Sequence, residues 1–440
     1  MLDPADDPFL TRLASRLQTQ RAKSCWWVAY SGGLDSTVLL HALARLRPHF
    51  PDVTLRAIHI HHGLQADADS WAKHCQVTCL ALKIPCTVSY AQVQVPKGES
   101  LEACAREARY HLFSQHLQAN DLLIIAQHAD DQAETVLLQL FRGAGTTGLA
   151  AMAMLSPFAQ ATLFRPLLDT PRATLQTWAN QQQLHYINDP SNNDTRFTRN
   201  FLRHEIIPRL QQRWANINQT LCRVAQHQAE ADTLLQELAQ TDLNNCQTNQ
   251  KNQLNINALT CLSPARQRNL LRYWLQQLQF TPPSTAQLAQ ILETLLPAKI
   301  DAQPLVQWQG VEIRRYQNIL YALPPLPIKP AHYQQTWLPP AFLTLPLGYL
   351  RIKPVLGQGI KPTDIFKVQL RQGGETCQLR GLRRELKTLL QTAHMPAWLR
   401  PFLPLIYVNE KLAFIPHLGV CDGFQVSEQE EGWIIEWVIE

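Results

Sequence analysis

Between residues 24 and 185, short apolar runs rich in β-branched and aromatic residues alternate with amphipathic stretches of helical period. The runs Cys25–Ser31, Thr54–Ile60, Cys86–Val93, Leu122–His128 and Thr162–Leu168 predict strands. Stretches starting near Ser36, Asp69, Ser100, Asp130 and Pro171 predict the helices. Such alternation predicts an α/β fold, a doubly wound parallel sheet with helices on both faces. Ligands of such sheets sit beyond the carboxyl ends of the strands.

Downstream the pattern changes. Asn200–Leu238 reads as one continuous helix with a kink or break at Pro208. Thr241–Asn257, crowded with Asn and Gln, lacks the apolar content to bury a core and predicts a linker. A mostly helical middle segment runs from Pro264 to about Leu295, followed by a β-rich piece, Val311–Leu323. Pro324–Pro346 is proline-dense and predicts an extended connector, and the remainder a small α+β unit. The expected organisation is a catalytic domain over residues 1–215, a mostly helical middle domain over 216–325, a linker over 326–346 and a C-terminal domain over 347–440.

A chain of 440 residues has room for two or three domains. Its ten cysteines are scattered without any Cys-x-x-Cys, which argues against a disulfide framework and a paired zinc or iron–sulfur site and predicts reduced thiols in a cytoplasm. The start, MLDPADDPFL, is acidic, and no apolar run approaches the ~18 residues of a membrane span, so neither export nor membrane insertion is expected. The net charge of +5 is mild, but Arg351–Arg400 holds ten basic residues against three acids. Such clustering predicts contacts to nucleic-acid phosphates; a solvated helix face is the alternative.

The candidate chemistry lies at the strand ends. After the first strand comes Ser31-Gly32-Gly33-Leu34-Asp35-Ser36, a glycine turn into a helix N-terminus, where free amides and the helix dipole attract phosphate. Ser31 and Ser36 add hydroxyls, and Asp35 offers a hard oxygen for Mg²⁺. No Gly-Lys dipeptide occurs, so this is not a Walker-type loop. Gly143–Gly148 fits G-x-G-x-x-G but follows a predicted helix rather than a strand, and reads as a flexible loop near the site. Past the second strand, His59, His61 and His62 lack a completing ligand set for zinc; one of them, His59 for preference, is expected to hydrogen-bond ATP or its loop or to be structural. Past the fourth, Asp130, Asp131 and Glu134 start a helix and are candidates for metal, for a cationic substrate or for its proton. Ser100–Phe113 carries a capping signature with Glu102, Arg106 and Arg109 on neighbouring turns, where either arginine suits a phosphate or a helix pair. Arg196, Arg199, Arg203 and Arg209 recur every three to six residues and predict a basic stripe for nucleic-acid phosphates.

The S-G-G-x-D-S pattern resembles the pyrophosphate loop of the N-type ATP pyrophosphatases, which split ATP into AMP and pyrophosphate. Together with HIHHGL (59–64), LEACAREARY (101–110), HADDQAET (128–135), RGAGTTGL (142–149), DPSNNDTRFTRNFLRHEIIPRL (189–210), LSPARQRNLLRYWL (262–275), RQGGE (371–375) and MPAWLRPFLPLIY (395–407), it resembles the bacterial tRNA(Ile)-lysidine synthase family over essentially the whole chain. Ala129 stands where that family's pattern is expected to carry a bulkier residue, and His62 is in a position often preceded by asparagine.

The resemblance implies a Rossmann-like N-type ATP pyrophosphatase domain that ligates free L-lysine to the wobble cytidine of the isoleucine tRNA with a CAU anticodon. ATP is the cosubstrate, with Mg²⁺, and the route runs through an adenylated cytidine. It implies ATP contacts from Ser31, Gly32, Gly33, Leu34, Asp35, Ser36 and His59, with Asp35 the metal ligand. Catalytic roles fall to Asp35, Asp130, Asp131, Glu134 and Arg106, and tRNA contacts to Arg142, Arg196, Arg199, Arg203, Arg371, Arg380, Arg383, Arg384 and Arg400. Family members are often homodimers. The alternative in the same superfamily is a tRNA cytidine thiolase, which would need cysteines at the active-site loops. Cys75 and Cys79 lie mid-helix at i,i+4 and read as core.

Overall fold

The computed structural model describes residues 7–439 except 64, 66, 94, 97, 99, 100, 300 and 301, and does not describe the side chain of residue 102. The expected cap at Ser100, the side chain of Glu102 and the first six residues of the acidic start therefore lie outside the described residues. The chain forms two compact units, Met1–Leu234 and Leu235–Glu440, considered separately below.

The first unit opens with α1 (Pro8–Gln18), whose first amides are capped by Asp7 through Phe9 and Leu10 N–H. It continues through β1 (Cys25–Ala29), α2 (Leu34–Leu46), β2 (Thr54–His61), α3 (Ala68–Ala81), β3 (Cys86–Tyr90), α4 (Leu101–His116), β4 (Leu122–Ile124), α5 (Ala129–Phe141), α6 (Thr146–Leu149), β5 (Leu155–Phe158), β6 (Ala161–Phe164) and α7 (Arg172–Gln181). The sheet order is β3-β2-β1-β4-β6-β5, parallel except for the β5/β6 pair. β1 and β4 are interior strands, which is why Trp26-Trp27-Val28 and Leu122-Leu123-Ile124 are buried without alternation. Strand order reverses between β1 and β4, so the crevice beyond their ends is the switch point at which such sheets bind ligands. The sequence gives no sign of β5, because Pro157 reads as a breaker; as the edge strand it tolerates a residue without an N–H.

The expected continuous helix over Asn200–Leu238 is three pieces: α8 (Thr198–Phe201), a π-turn Leu202–Ile206 leading into α9 (Ile207–Arg213), and α10 (Ile217–Cys246). Pro208 does not break it: the helical run is continuous over residues 198–213, and the π-turn falls immediately before the proline. The break comes at Trp214, with φ −127° and ψ 86°.

In the second unit the predicted linker Thr241–Asn257 is largely structured. α10 continues to Cys246, and Ala239, Leu243 and Cys246 recur at helical spacing on its buried face. Asp242, fully buried, accepts from Arg266 Nε at 3.1 Å. β7 (Gln253–Asn255) begins a sheet of order β7-β10-β9-β8, with α11 (Ile256–Thr260), α12 (Pro264–Gln277), α13 (Thr285–Gln290), β8 (Leu305–Trp308), β9 (Val311–Tyr316) and β10 (Ile319–Leu323). The helical middle thus carries its own antiparallel sheet. The rest contains β11 (Gln334–Trp337), β12 (Leu343–Thr344), β13 (Tyr349–Leu356), β14 (Phe366–Leu370), β15 (Thr376–Leu379), β16 (Leu382–Glu385), α14 (Leu386–Thr392), β17 (Pro404–Val408), β18 (Lys411–Ile415), β19 (Gly419–Val420) and β20 (Glu431–Val438). These form sheets β11-β14-β17-β18-β19 and β12-β13-β20 and a β15–β16 hairpin.

The connector expected over 326–346 is partly an element of this last region. β11 pairs with β14, and Trp337 is 1% exposed against Phe366. Trp337→Ala is therefore expected to destabilise the protein by about 3–5 kcal/mol in a denaturant melt, through a cavity in that core. A connector residue would leave the melt unchanged.

Candidate functional site

Gly32 has φ +84°, which favours glycine, and a methyl group there would lie 2.5 Å from Ile187 Cδ1 and 3.0 Å from Cys75 Sγ, so those side chains would have to shift. Its carbonyl accepts from Ile187 N–H at 2.8 Å and from the Thr37 hydroxyl at 3.1 Å. Ser36 Oγ donates to the Gly33 carbonyl at 3.0 Å and lies 3.0 Å from Ser31 Oγ. Gly33 is the N-cap of α2 and has no side chain to satisfy the first amides, an arrangement suited to an anion. His59, 5% exposed, turns Nδ1 to the Tyr30 carbonyl at 2.9 Å, with Cys75 Sγ at 3.4 Å from the same nitrogen. Through that nitrogen it braces the strand end that carries the loop.

Opposite the loop, across the switch point, His128 is the N-cap of α5 and 1% exposed. Its ring lies 3.6 Å from Asp35 Oδ2, 3.5 Å from Asp131 Oδ2 and 3.7 Å from Asp130 Oδ2. Burial pushes the His128 pKa down, but the charges of Asp131, Asp35 and Asp130 outweigh it and raise the value above the ordinary 6.5. Burial likewise pushes Asp35 up, and the His128 ring 3.6 Å away, then the charges of Arg172 and Arg203, bring its pKa below the usual carboxylate value.

The three aspartates differ in what remains free. Asp130 accepts from Arg172 N–H and Asn218 Nδ2, both at 2.9 Å. Asp131 accepts from its own cap, His128 N–H, at 3.1 Å and from Arg203 Nη2 at 3.1 Å. Asp35 Oδ1 is buried without a hydrogen-bond partner. Among the described residues no three His, Cys, Asp or Glu side chains form a metal cage. A single open carboxylate beside a phosphate loop nevertheless fits Mg²⁺, which is held through one or two carboxylates plus substrate phosphates.

Glu134 departs from the expectation of an open ligand. It is 0% exposed, and takes Arg199 Nε at 2.8 Å and Arg203 Nε and Nη2 at 2.6 and 3.0 Å. Arg199 and Arg203 therefore point inward rather than forming an outer stripe; an arginine pair is what makes a buried carboxylate tolerable. Arg196 is exposed and paired with Asp194 at 2.7 Å, and Arg209 lies 3.6 Å from Glu205. The Asp189–Asp194 segment is itself fixed, since Asn200 Nδ2 donates to the Ser191 and Asp194 carbonyls, each at 3.0 Å.

Other expected residues lie apart from the aspartates. Arg106 folds over Tyr110, its guanidinium 4.8 Å from the ring centroid. Arg142 is exposed at the end of α5. The glycine loop beyond it is less free than expected, for its threonines enter α6 and Thr147 Oγ1 donates to Asp232 at 2.5 Å. In the second unit Arg371 Nε lies 3.4 Å from Glu375 Oε2, and Arg400 donates to the Tyr316 hydroxyl at 3.0 Å. Arg380, Arg383 and Arg384 stand exposed on the β15–β16 hairpin, whose tip Asp422 fixes through the Arg380 and Gly381 amides at 2.8 and 2.6 Å. Lys353, Lys361 and Lys387 of the same basic cluster are also exposed, off the hairpin.

His128, Arg172, Asn218 and Ile187 escape the sequence reading. Only His128 leaves a signal there, by standing immediately before a helix that begins with two acids.

Comparison with known proteins identifies three domains along the chain. A PP-loop domain profile covers residues 7–210, a TilS substrate-binding domain profile 254–321 and a TilS substrate C-terminal domain profile 366–437. The chain is 41% identical to the tRNA(Ile)-lysidine synthase of Coxiella burnetii over 97% of this chain and 96% of the relative. It is 42% identical to that of Pseudomonas aeruginosa over 98% and 97%. A U34-tRNA thiolase from Methanococcus maripaludis with a [4Fe-4S] cluster is 16% identical, with a TM-score of 0.43 over 50% of this chain and 77% of that one, too distant to bear on function.

Because the folded state holds the His128 proton more tightly than the unfolded chain, its stabilisation is fully present below the unfolded value near 6.5 and fades as pH rises through the folded value. The urea-unfolding gap between the protein and its His128→Gln variant is expected to be wider at about pH 6 than at about pH 9. Equal gaps would mean that the ring gains no charge.

Proposed function

The chain belongs to the tRNA(Ile)-lysidine synthase family, C–N-bond-forming ligases with an ATP-using PP-loop domain, and from that premise we propose how its residues divide the reaction. The substrate tRNA is tRNA(Ile). No helix among the described residues is long and apolar enough to cross a membrane, and action on tRNA fits the cytoplasm.

In this reading the wobble cytidine of a CAU anticodon enters the crevice beyond β1 and β4, and its O2 attacks the α-phosphate of ATP. The bond from that phosphorus to the bridging oxygen breaks, and pyrophosphate leaves. The ε-amine of free lysine then attacks C2, AMP departs with O2, and the amine loses a proton. The observation that carries the assignment is the buried, unpartnered Asp35 Oδ1 at the start of α2, beside amides with no side-chain cap.

The amides and hydroxyls of Ser31–Ser36 hold the pyrophosphate, and Asp35 would hold Mg²⁺. The ion, when bound, supplies charge neutralisation to the departing phosphates. Asp130 is more open than Asp131, with 29% of its side chain exposed against 17%. It is assigned the lysine ammonium and the proton that must leave before attack. Glu134, Arg199 and Arg203 position Asp131 from behind.

Incubation with bulk tRNA, ATP, Mg²⁺ and radiolabelled lysine is expected to place label in tRNA with one AMP and one pyrophosphate released per lysine. Sulfur transfer, or tRNA binding without label, would overturn the reading. Replacing Arg380, Arg383 and Arg384 together by alanine is expected to weaken tRNA binding and to lower the slope of log affinity against log salt by about two to three. An unchanged slope would identify the hairpin as a solvated face.

A further inference from the structure

One guanidinium at the switch point has no settled partner. Arg172 opens α7, and its backbone is fixed: its N–H donates to Asp130 Oδ2 at 2.9 Å, and the Thr170 carbonyl two residues earlier accepts from Ala129 N–H at 3.0 Å. Its side chain is 48% exposed and has one ionic neighbour among the described residues, Asp35 Oδ1, at 3.8 Å from Nε. That separation is too long for a hydrogen bond, and Asp35 Oδ1 remains unpartnered. The other arginines near the site are committed, Arg199 and Arg203 to Glu134 and Arg196 to Asp194. An anchored backbone beneath an uncommitted planar cation, beside a loop shaped for phosphate, has the form of a ligand-binding arginine rather than a structural one.

We propose that Arg172 is a phosphate-binding residue of this site, donating to oxygens of the ATP β- and γ-phosphates and to the pyrophosphate they become. The site holds two anionic candidates, phosphate and the carboxylate of the amino acid. Position decides for phosphate, because the nearest charged neighbour of the guanidinium is the aspartate inside the phosphate loop itself. As pyrophosphate leaves, negative charge accumulates on its oxygens, and a fixed guanidinium stabilises that charge more than it stabilises bound ATP. Arg172 thereby completes the loop from the opposite side of the crevice, with a side-chain cation where the Walker-type loop would use the lysine this chain lacks.

The inference rests on the AMP-forming reading above, and calorimetry with inorganic pyrophosphate and Mg²⁺ separates the two because it needs no turnover. Arg172→Ala is expected to weaken pyrophosphate binding at least about tenfold and to raise the KM for ATP similarly, leaving the KM for lysine and the thermal midpoint unchanged. Arg172→Lys is expected to recover part of the loss. Unchanged pyrophosphate affinity would overturn the assignment, as would a shift confined to the KM for lysine, which would place the guanidinium on the amino-acid carboxylate. Pyrophosphate binding that depends on Arg172 in a protein unable to incorporate lysine would uphold this assignment and overturn the reaction.

Discussion

Carboxylates from two separate elements crowd one buried imidazole, and the catalytic unit is organised around that electrostatic constraint. Asp35 comes from the helix after β1, and Asp130 and Asp131 from the helix after β4. Three negative charges within 4 Å of one another's shared partner would repel strongly in a buried crevice. His128 at their centre offsets that repulsion, and the parallel sheet makes the meeting possible by bringing both loops to the point where strand order reverses.

Behind this group lies a second balance. Glu134 is buried on the core side of α5, and Arg199 and Arg203 reach in to meet both its oxygens. Removing one partner from such an ion group costs about 3–5 kcal/mol, whereas the intact group can be close to neutral. It therefore contributes less to stability than to place: Arg203 also donates to Asp131, so that acid inherits its position from a segment some seventy residues later.

The parallel sheet was legible because interior strands read as unbroken apolar runs and their helices keep a clear period, and the loop at Ser31–Ser36 was legible because its glycines and hydroxyls have few other uses. The failures have physical causes. Glu134, Arg199 and Arg203 are residue types normally found at surfaces, and only tertiary pairing reveals that Glu134 is buried and the two half-buried arginines turn in to meet it. The Asn/Gln-rich stretch hid Leu243 and Cys246, which fall four and seven residues after Ala239 and so share one helix face. Trp337 was masked by the prolines around it. Arg172 left no pattern, since its importance comes from what lies across the crevice.

Ile187 carries the least conspicuous role. Its N–H holds the Gly32 carbonyl, and its side chain fills the space beside Gly32 where a Cβ would stand. The phosphate loop emerges early from the ribosome, yet the residue that closes it is made roughly 150 positions later. A nascent chain can therefore pair β1 with β2 and β4 while its nucleotide site is still open on one side. The loop's own set of backbone contacts is therefore completed only after residue 187 has been made.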